Sequence, residues 1–342
     1  MKLGCELSAV SLQRCVPRAQ TTAAGIGRLI QRLLAAFCLL VLTSAVAAAQ
    51  PGTPTSGNSL SGGATAKTQI VFLGTGTPVA DPDRFGPSVA IVVNGAAYIV
   101  DCGPGVVRRA AAAAKNGVTA LRVANLKTVF ITHLHSDHTL GFPDLILSPA
   151  VLHRNAPLEA YGPAGLQEMT DHIMAAWKKD IDIRLHGLEH GEPAGYVVHV
   201  HEIKPGVIYQ DANVKVTAFL VKHGSWDQAF GYRFDTADRS VVISGDTAPT
   251  PAIPEACHGC DVLIHEVYPK AGLDKLSADD HAYFSQFHTS GPELAEIAKQ
   301  AKPGLLILYH QVFMKTPDQV LLDEVRAAWK GRVVSAKDLE EY

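Results

Sequence analysis

The chemistry of this 342-residue chain is densest at Thr132-His133-Leu134-His135-Ser136-Asp137-His138, where four ligand-type side chains lie within six residues. Imidazole and carboxylate suit zinc and similar divalent cations. The apolar run Leu126 to Thr132 reads as a strand. His133 and His135, two apart on an extended segment, therefore point to the same side, and a turn then aims Asp137 and His138 elsewhere. One short loop can serve two adjacent cations. Further along, His223 follows the strand-like Val214 to Val221, Asp246 follows Val242-Ile243-Ser244, and His310 follows Leu305 to Tyr309. A lone His after a strand is usually structural. Three such residues downstream of a His-rich loop supply what a two-cation centre still lacks. Cations with open positions acidify bound water, so the chemistry expected is hydrolysis.

Several elements must position these residues. Gln69 to Leu73 is a buried-strand run ending in Gly74-Thr75-Gly76-Thr77-Pro78. Ser88 to Val93 and Ala96 to Val100 are strands around a turn at Asn94-Gly95. Asp101-Cys102-Gly103-Pro104-Gly105 opens an Ala-rich helix, Val106 to Asn116, stopped by Gly117. Residues 163–178 read as helix, and strand-like runs recur at 196–203, 214–221, 230–234, 240–244 and 261–265. Helices are expected at Gly291 to Ala301 and Pro317 to Trp329. Strands with interspersed helices argue an α/β layered domain, and hairpin turns argue mixed sheets. Two packed sheets with helices outside would bury runs of this kind on both faces, but periodicity alone does not choose that over one doubly wound sheet. Asp279, Asp280, His281 and Tyr283 read as a polar loop, with lining of the pocket as the alternative. His199 and His201 form an H-x-H with no carboxylate following in pattern. They are set aside with His153, His172, His186, His190, His258 and His265 as surface or packing residues.

With 47% hydrophobic and 18% charged residues, the chain reads as a globular enzyme rather than a disordered one. Residues 1–49 read as a signal peptide: Arg14, Arg18, Arg28 and Arg32, an apolar run Leu33 to Leu42, then small residues ending Ala47-Ala48-Ala49. The alternative is an uncleaved anchor. Residues 50–68 read as a flexible linker and 69–342 as the catalytic domain. The leader carries five basic residues and one acidic one, so the net charge goes from −3 to −7 without it. From that acidity we expect no nucleic-acid partner, and from the leader a periplasmic or secreted location with no stable membrane insertion after processing. A homodimer is compatible with this. Cys257 and Cys260 have no second C-x-x-C to complete a zinc site, so they form either a local disulfide or packed free thiols.

H-x-H-x-D-H followed by separate His, Asp and His residues resembles the metallo-β-lactamase superfamily. The match narrows to its ribonuclease Z and arylsulfatase-like branch through FLGTGTP (72–78), VDCGPG (100–105), KHGSWDQAFGYRF (222–234), SGDT (244–247), HEVYP (265–269), FHTS (287–290) and LYHQ (308–311). The resemblance implies an αββα sandwich, two mixed β-sheets flanked by helices. It implies that His133, His135 and His223 hold one zinc, that Asp137, His138 and His310 hold a second, and that Asp246 bridges them, with manganese or iron able to stand in. It makes Asp137, His288 and Glu266 the catalytic candidates: Asp137 in forming the nucleophile, His288 toward the leaving group, Glu266 orienting His288. Alternatively His288 caps the helix starting near Ser290, and Glu266 supports a ligand His. Transfer-RNA-processing members carry a long arm between the third His motif and the Asp motif; His223 to Asp246 is only 23 residues. Asp246 also departs from the β-lactamases of the superfamily. The reading is a hydrolase of a small ester, a sulfate ester or phosphodiester. A lactonase, a weak β-lactamase or a metal-binding scaffold without turnover are the alternatives.

Overall fold

The computed structural model describes Thr68–Tyr342; the expected leader and the expected linker as far as residue 67 lie outside the described residues. Thr68 already belongs to the first strand, one residue earlier than expected.

The first sheet runs in chain order through β1 (Thr68–Gly74), β2 (Ser88–Val93), β3 (Ala96–Val100), β4 (Thr128–Phe130), β5 (Leu158–Gly162) and β6 (Val198–Glu202). The second runs through β7 (Gly206–Gln210), β8 (Val214–Leu220), β9 (Phe230–Thr236), β10 (Ser240–Ile243), β11 (Val262–Val267), β12 (Leu305–Gln311) and β13 (Val333–Ser335). Both follow one plan, antiparallel hairpins first and parallel strands after. Parallel neighbours require crossovers, and here the crossovers carry the helices. Those of the first sheet hold α1 (Val106–Lys115), α2 (Ser136–Thr139), α3 (Phe142–Val151), α4 (Leu166–Ala176) and α5 (Lys178–His186). Those of the second hold α6 (Ala252–Cys257), α7 (Lys270–Leu273), α8 (Ala278–Phe287), α9 (Gly291–Ala301) and α10 (Asp318–Ala328). The expectation of two mixed sheets flanked by helices holds.

Alternation along the strands explains their continuous apolar runs. On β1, Ile70 and Phe72 join Ile91, Phe130, Tyr232, Phe234 and Ile264 in a layer between the sheets. Val71 and Leu73 point the other way, under α1, α3 and α4. Leu263, Leu306, Leu294 and Leu321 form the matching layer of the second sheet with α9 and α10.

Sequence reading missed α3 because Pro149 sits inside it. A proline cannot donate to the carbonyl four residues back. Here the fully buried Arg154 does so instead: Nη1 donates to Leu145 O (3.0 Å) and Leu126 O (3.2 Å), Nη2 to Ile146 O (2.9 Å) and Gly195 O (2.7 Å). The polar loop expected at Asp279 to Tyr283 is instead part of α8. Ser277 and Asp280 exchange hydrogen bonds in a capping box, which starts the helix without an apolar stripe. Cys257 and Cys260 are joined in a disulfide. Among the described residues no helix is long and apolar enough to cross a membrane.

Candidate metal centre

The seven expected ligands come together at one edge of the two sheets. His133 and His135 lie on the loop leaving β4, Asp137 and His138 on α2, His223 just past β8, Asp246 past β10, and His310 near the end of β12. Donor atoms of His133, His135, His223 and Asp246 lie within 4.8 Å of one another, as do those of Asp137, His138 and His310. Asp246 reaches across: Oδ1 is 3.4 Å from Nε2 of His138 and Oδ2 is 3.5 Å from Nε2 of His310. The sheets are stitched together directly beneath, where Phe230 N donates to Thr132 O (2.9 Å) and the Tyr232 hydroxyl to Ile131 O (2.6 Å).

Surrounding hydrogen bonds decide which nitrogen each ring offers. Thr132 Oγ1 gives its proton to Asp101 (2.9 Å) and so accepts from Nδ1 of His133 (3.0 Å). Nδ1 of His223 donates to Phe287 O (2.8 Å). Both rings therefore turn an Nε2 lone pair inward, each 3.0 Å from Nδ1 of His135. Asp101 Oδ2 accepts from Nδ1 of His138 (2.8 Å), leaving that Nε2 buried without a hydrogen-bond partner, like Oδ1 of Asp246. Buried acceptors left unpaired are costly. Converging lone pairs and orphaned oxygens are what a cation satisfies, so these residues fit a metal centre.

The electrostatics agree. Burial opposes charging His138, yet Asp246 and Asp101 hold it well above the ordinary imidazole value. His310 is raised in the same way, chiefly by Asp246 and Asp137. Burial likewise opposes ionising Asp246, yet His310 and His138 carry it well below the usual carboxylate range. The cluster calls for positive charge at its centre.

The GTGTP and DCGPG stretches work by close approach. A Cβ on Gly103 would lie 2.4 Å from Gly86 C and 2.6 Å from Asp137 O, and one on Gly141 would lie 2.3 Å from Gly103 O. Only bare backbone lets these loops pack under α2.

A cavity of about 300 Å³ opens over the cluster, lined by Asp137, Asp246, His310, His288, Tyr283 and Phe284 among others. His288 does not cap α9, whose N-terminus is held by Ser290 with Glu293; its backbone N–H instead closes the end of α8 on Phe284 O. Burial pushes the His288 imidazole down to about 4, and its Nδ1 lies 3.4 Å from Oε2 of Glu266. Glu266 is fully buried, and burial followed by the Asp246 charge raises it well above the carboxylate range. Its Oε1 accepts from Thr289 N (2.8 Å) and Thr247 N (3.3 Å), which leaves Oε2 on the side of His288.

The family described as Beta-lactamase superfamily domain matches residues 97–311. The chain belongs to the β-lactamase superfamily. Within the superfamily it is similar to ribonuclease Z of Mycobacterium marinum, 34% identical over 71% of this chain and 86% of the relative. Ribonuclease Z of Mycobacterium tuberculosis is 32% identical over 79% of this chain and 96% of the relative. The fold is shared with the metallo-β-lactamase fold protein YhfI of Bacillus subtilis (TM-score 0.62, 18% identity, 80% of this chain and 99% of that one). It is also shared with the short form of human tRNase Z (TM-score 0.59, 24% identity, 80% of this chain and 98% of that one). As a member with ribonuclease Z relatives, the chain is a metal-dependent hydrolase.

These relatives overturn one expectation. A partner list without nucleic acid does not stand for a superfamily member whose relatives at this identity are ribonucleases. The error lay in reading a local property from a global one. Net charge sets the long-range field, whereas a phosphodiester at a cation centre is met by charge within a few ångströms.

Sequence reasoning also passed over Asp101, although the matched VDCGPG stretch contains it. Trp226, whose indole N–H donates to Nε2 of His135 at 2.9 Å, gave no separate signal.

Proposed function

We propose that this superfamily member is a two-cation phosphodiesterase acting on ribonucleic-acid-type diesters. His133, His135 and His223 would hold one ion, Asp137, His138 and His310 the other, and Asp246 both; zinc suits this set, and manganese or iron could replace it. The observation that carries the reading is Asp246 spanning the two ligand groups beneath a cavity into which His288 projects. Bound cations would supply a nucleophile from water at neutral pH and neutralise the phosphoryl oxygens. Phe287 O, Asp101 and Thr132 hold the ligand rings in the tautomer the ions require. His288, which lines the cavity beside Glu266, would give the leaving oxygen a proton or a hydrogen bond. A diester is favoured over a sulfate ester because relatives 32–34% identical to this chain are ribonucleases. The leader at residues 1–49 would bring this activity outside the cytoplasm, which N-terminal sequencing of exported protein tests by a start near Gln50.

The test is metal analysis of protein purified without chelator, with a substrate panel. A ribo-oligonucleotide and bis(p-nitrophenyl) phosphate should exceed an aryl sulfate, a lactone and nitrocefin in kcat/KM, in protein holding about two ions per chain. An aryl sulfate turned over best would replace the diester reading with a sulfatase. One ion or none would remove the two-cation centre.

A further inference from the structure

Next to the metal cavity lies a larger one of about 490 Å³, walled by the Thr77–Phe85 loop, Pro104 and Leu140. The two share Thr77, Pro78, Val79, Ser136 and Asp137. A group attached to an ester held at the metal centre therefore reaches it directly. We propose that this cavity is a nucleotide subsite: its apolar walls take the base flanking the scissile diester, and Arg84 takes that nucleotide's other phosphate. The inference rests on the phosphodiesterase reading.

Two features carry it. The first is the wall chemistry. Pro78, Pro82, Pro104, Phe85, Val79 and Leu140 present apolar surface, and Val79 and Leu140 stand 71% and 63% exposed at its edge. Apolar walls beside the metal cavity accept a flat ring without leaving polar groups unpaired.

The second is Arg84, which lines the same cavity. Its Nη1 donates to Gln311 Oε1 (2.7 Å) and Thr75 Oγ1 (3.1 Å), and its guanidinium lies 4.6 Å over the Phe313 ring. Both acceptors are locked. Gln311 Nε2 donates to Leu308 O (2.9 Å), Ser335 Oγ (3.0 Å) and Ala336 O (2.9 Å), so Oε1 must face Arg84. Thr75 Oγ1 gives its proton to Asp338 Oδ1 (2.8 Å). Asp338 is itself occupied by Thr75 N, Phe85 N and, at 3.8 Å, Arg109. Among the described residues no carboxylate oxygen lies within 4.0 Å of the Arg84 nitrogens. A guanidinium held through Nη1 by neutral acceptors on the wall of a cavity keeps its other N–H groups uncommitted to any carboxylate, which suits a phosphate. Phosphate alone would leave the apolar walls idle; a nucleotide uses both.

The experiment measures binding to the metal-loaded protein by calorimetry, with a nucleoside 3′,5′-bisphosphate, the corresponding nucleoside monophosphate and ribose 3,5-bisphosphate as probes. The bisphosphate should bind about 10- to 100-fold tighter than the monophosphate, and Arg84→Met should erase the difference. Arg84→Lys, which keeps the charge and loses the fork, should fall between. Leu140→Asn should weaken the nucleoside bisphosphate more than ribose bisphosphate. Equal binding of the bisphosphate and monophosphate to wild type, or a difference surviving Arg84→Met in protein of unchanged melting temperature, would overturn the subsite. The failure is distinguishable from that of the phosphodiesterase reading, which shows as absent diester turnover whatever the bisphosphate does.

Discussion

Replacing Arg154 with methionine should unfold this protein earlier than any change at its surface. The guanidinium satisfies four backbone carbonyls, those of Leu126, Leu145, Ile146 and Gly195. Methionine fills similar space but donates to none of them. At about 2 kcal/mol per buried acceptor left unpaired, the gross loss is about 8 kcal/mol. Against this stands the release of a buried charge. Burial pushes the guanidinium down from 12.5 to about 10, a shift worth roughly 3 kcal/mol. The net cost is on the order of 5 kcal/mol, or about 10 °C or more in melting temperature for a domain of this size. Because α3 follows directly on α2, which carries Asp137 and His138, metal content should fall as well. Thermal unfolding by circular dichroism, with metal analysis of the same samples, makes the measurement. Arg154→Lys should recover only part of the loss, since an ammonium cannot span the four oxygens. An Arg154→Met variant melting within about 2 °C of wild type would refute the reasoning and mean that water serves the carbonyls equally well.

Three further outcomes follow from the site and its surroundings. His288→Ala should keep its metal while losing about 10²–10⁴-fold in kcat on diesters with poor leaving groups, and less on nitrophenyl esters; loss of an ion would make His288 a ligand instead. A cation on Nδ1 of His135 puts the ring proton on Nε2, facing the Trp226 N–H, so the indole must turn. Adding metal to chelated protein should then change tryptophan fluorescence in wild type but not in Trp226→Phe, and an unchanged wild-type signal would show that the indole stays. His265 is held at about 4 by burial, against 6.5 ordinarily, so the unfolded chain binds more protons between those values and stability falls as pH drops through that window, by about 3 kcal/mol in all. Urea midpoints at neutral and acid pH should diverge less in His265→Leu than in wild type, and equal pH slopes would count against it.

The clustering of the seven candidate ligands was legible because His and Asp at strand ends are chemically specific, and no packing role explains six residues holding four of them. The choice between one sheet and two was not. Val71 and Phe72 are both buried, on opposite faces, and a continuous apolar run looks the same in either architecture. The helix at Ala278–Phe287 could have been read from Ser277-x-x-Asp280, a capping signal overlooked because no apolar stripe followed. Arg84 was out of reach: its partner Gln311 lies 227 residues away, and only the fold brings them together. The nucleic-acid expectation failed for a related reason, since a sum over the chain contains no positions.

Neither ligand group belongs to a single sheet. His133, His135, Asp137 and His138 leave the first, and His223, Asp246 and His310 leave the second. The seam between them is fastened just below by Tyr232 and Phe230. Metal affinity in such a site works as a gauge of assembly. A chain whose halves have formed but not yet closed offers each ion an incomplete grip, so uptake comes late and rewards correct closure. A core change at Phe130 or Tyr232 that slides one half past the other by a fraction of an ångström should register first as a leaky ion and only later as a softer fold.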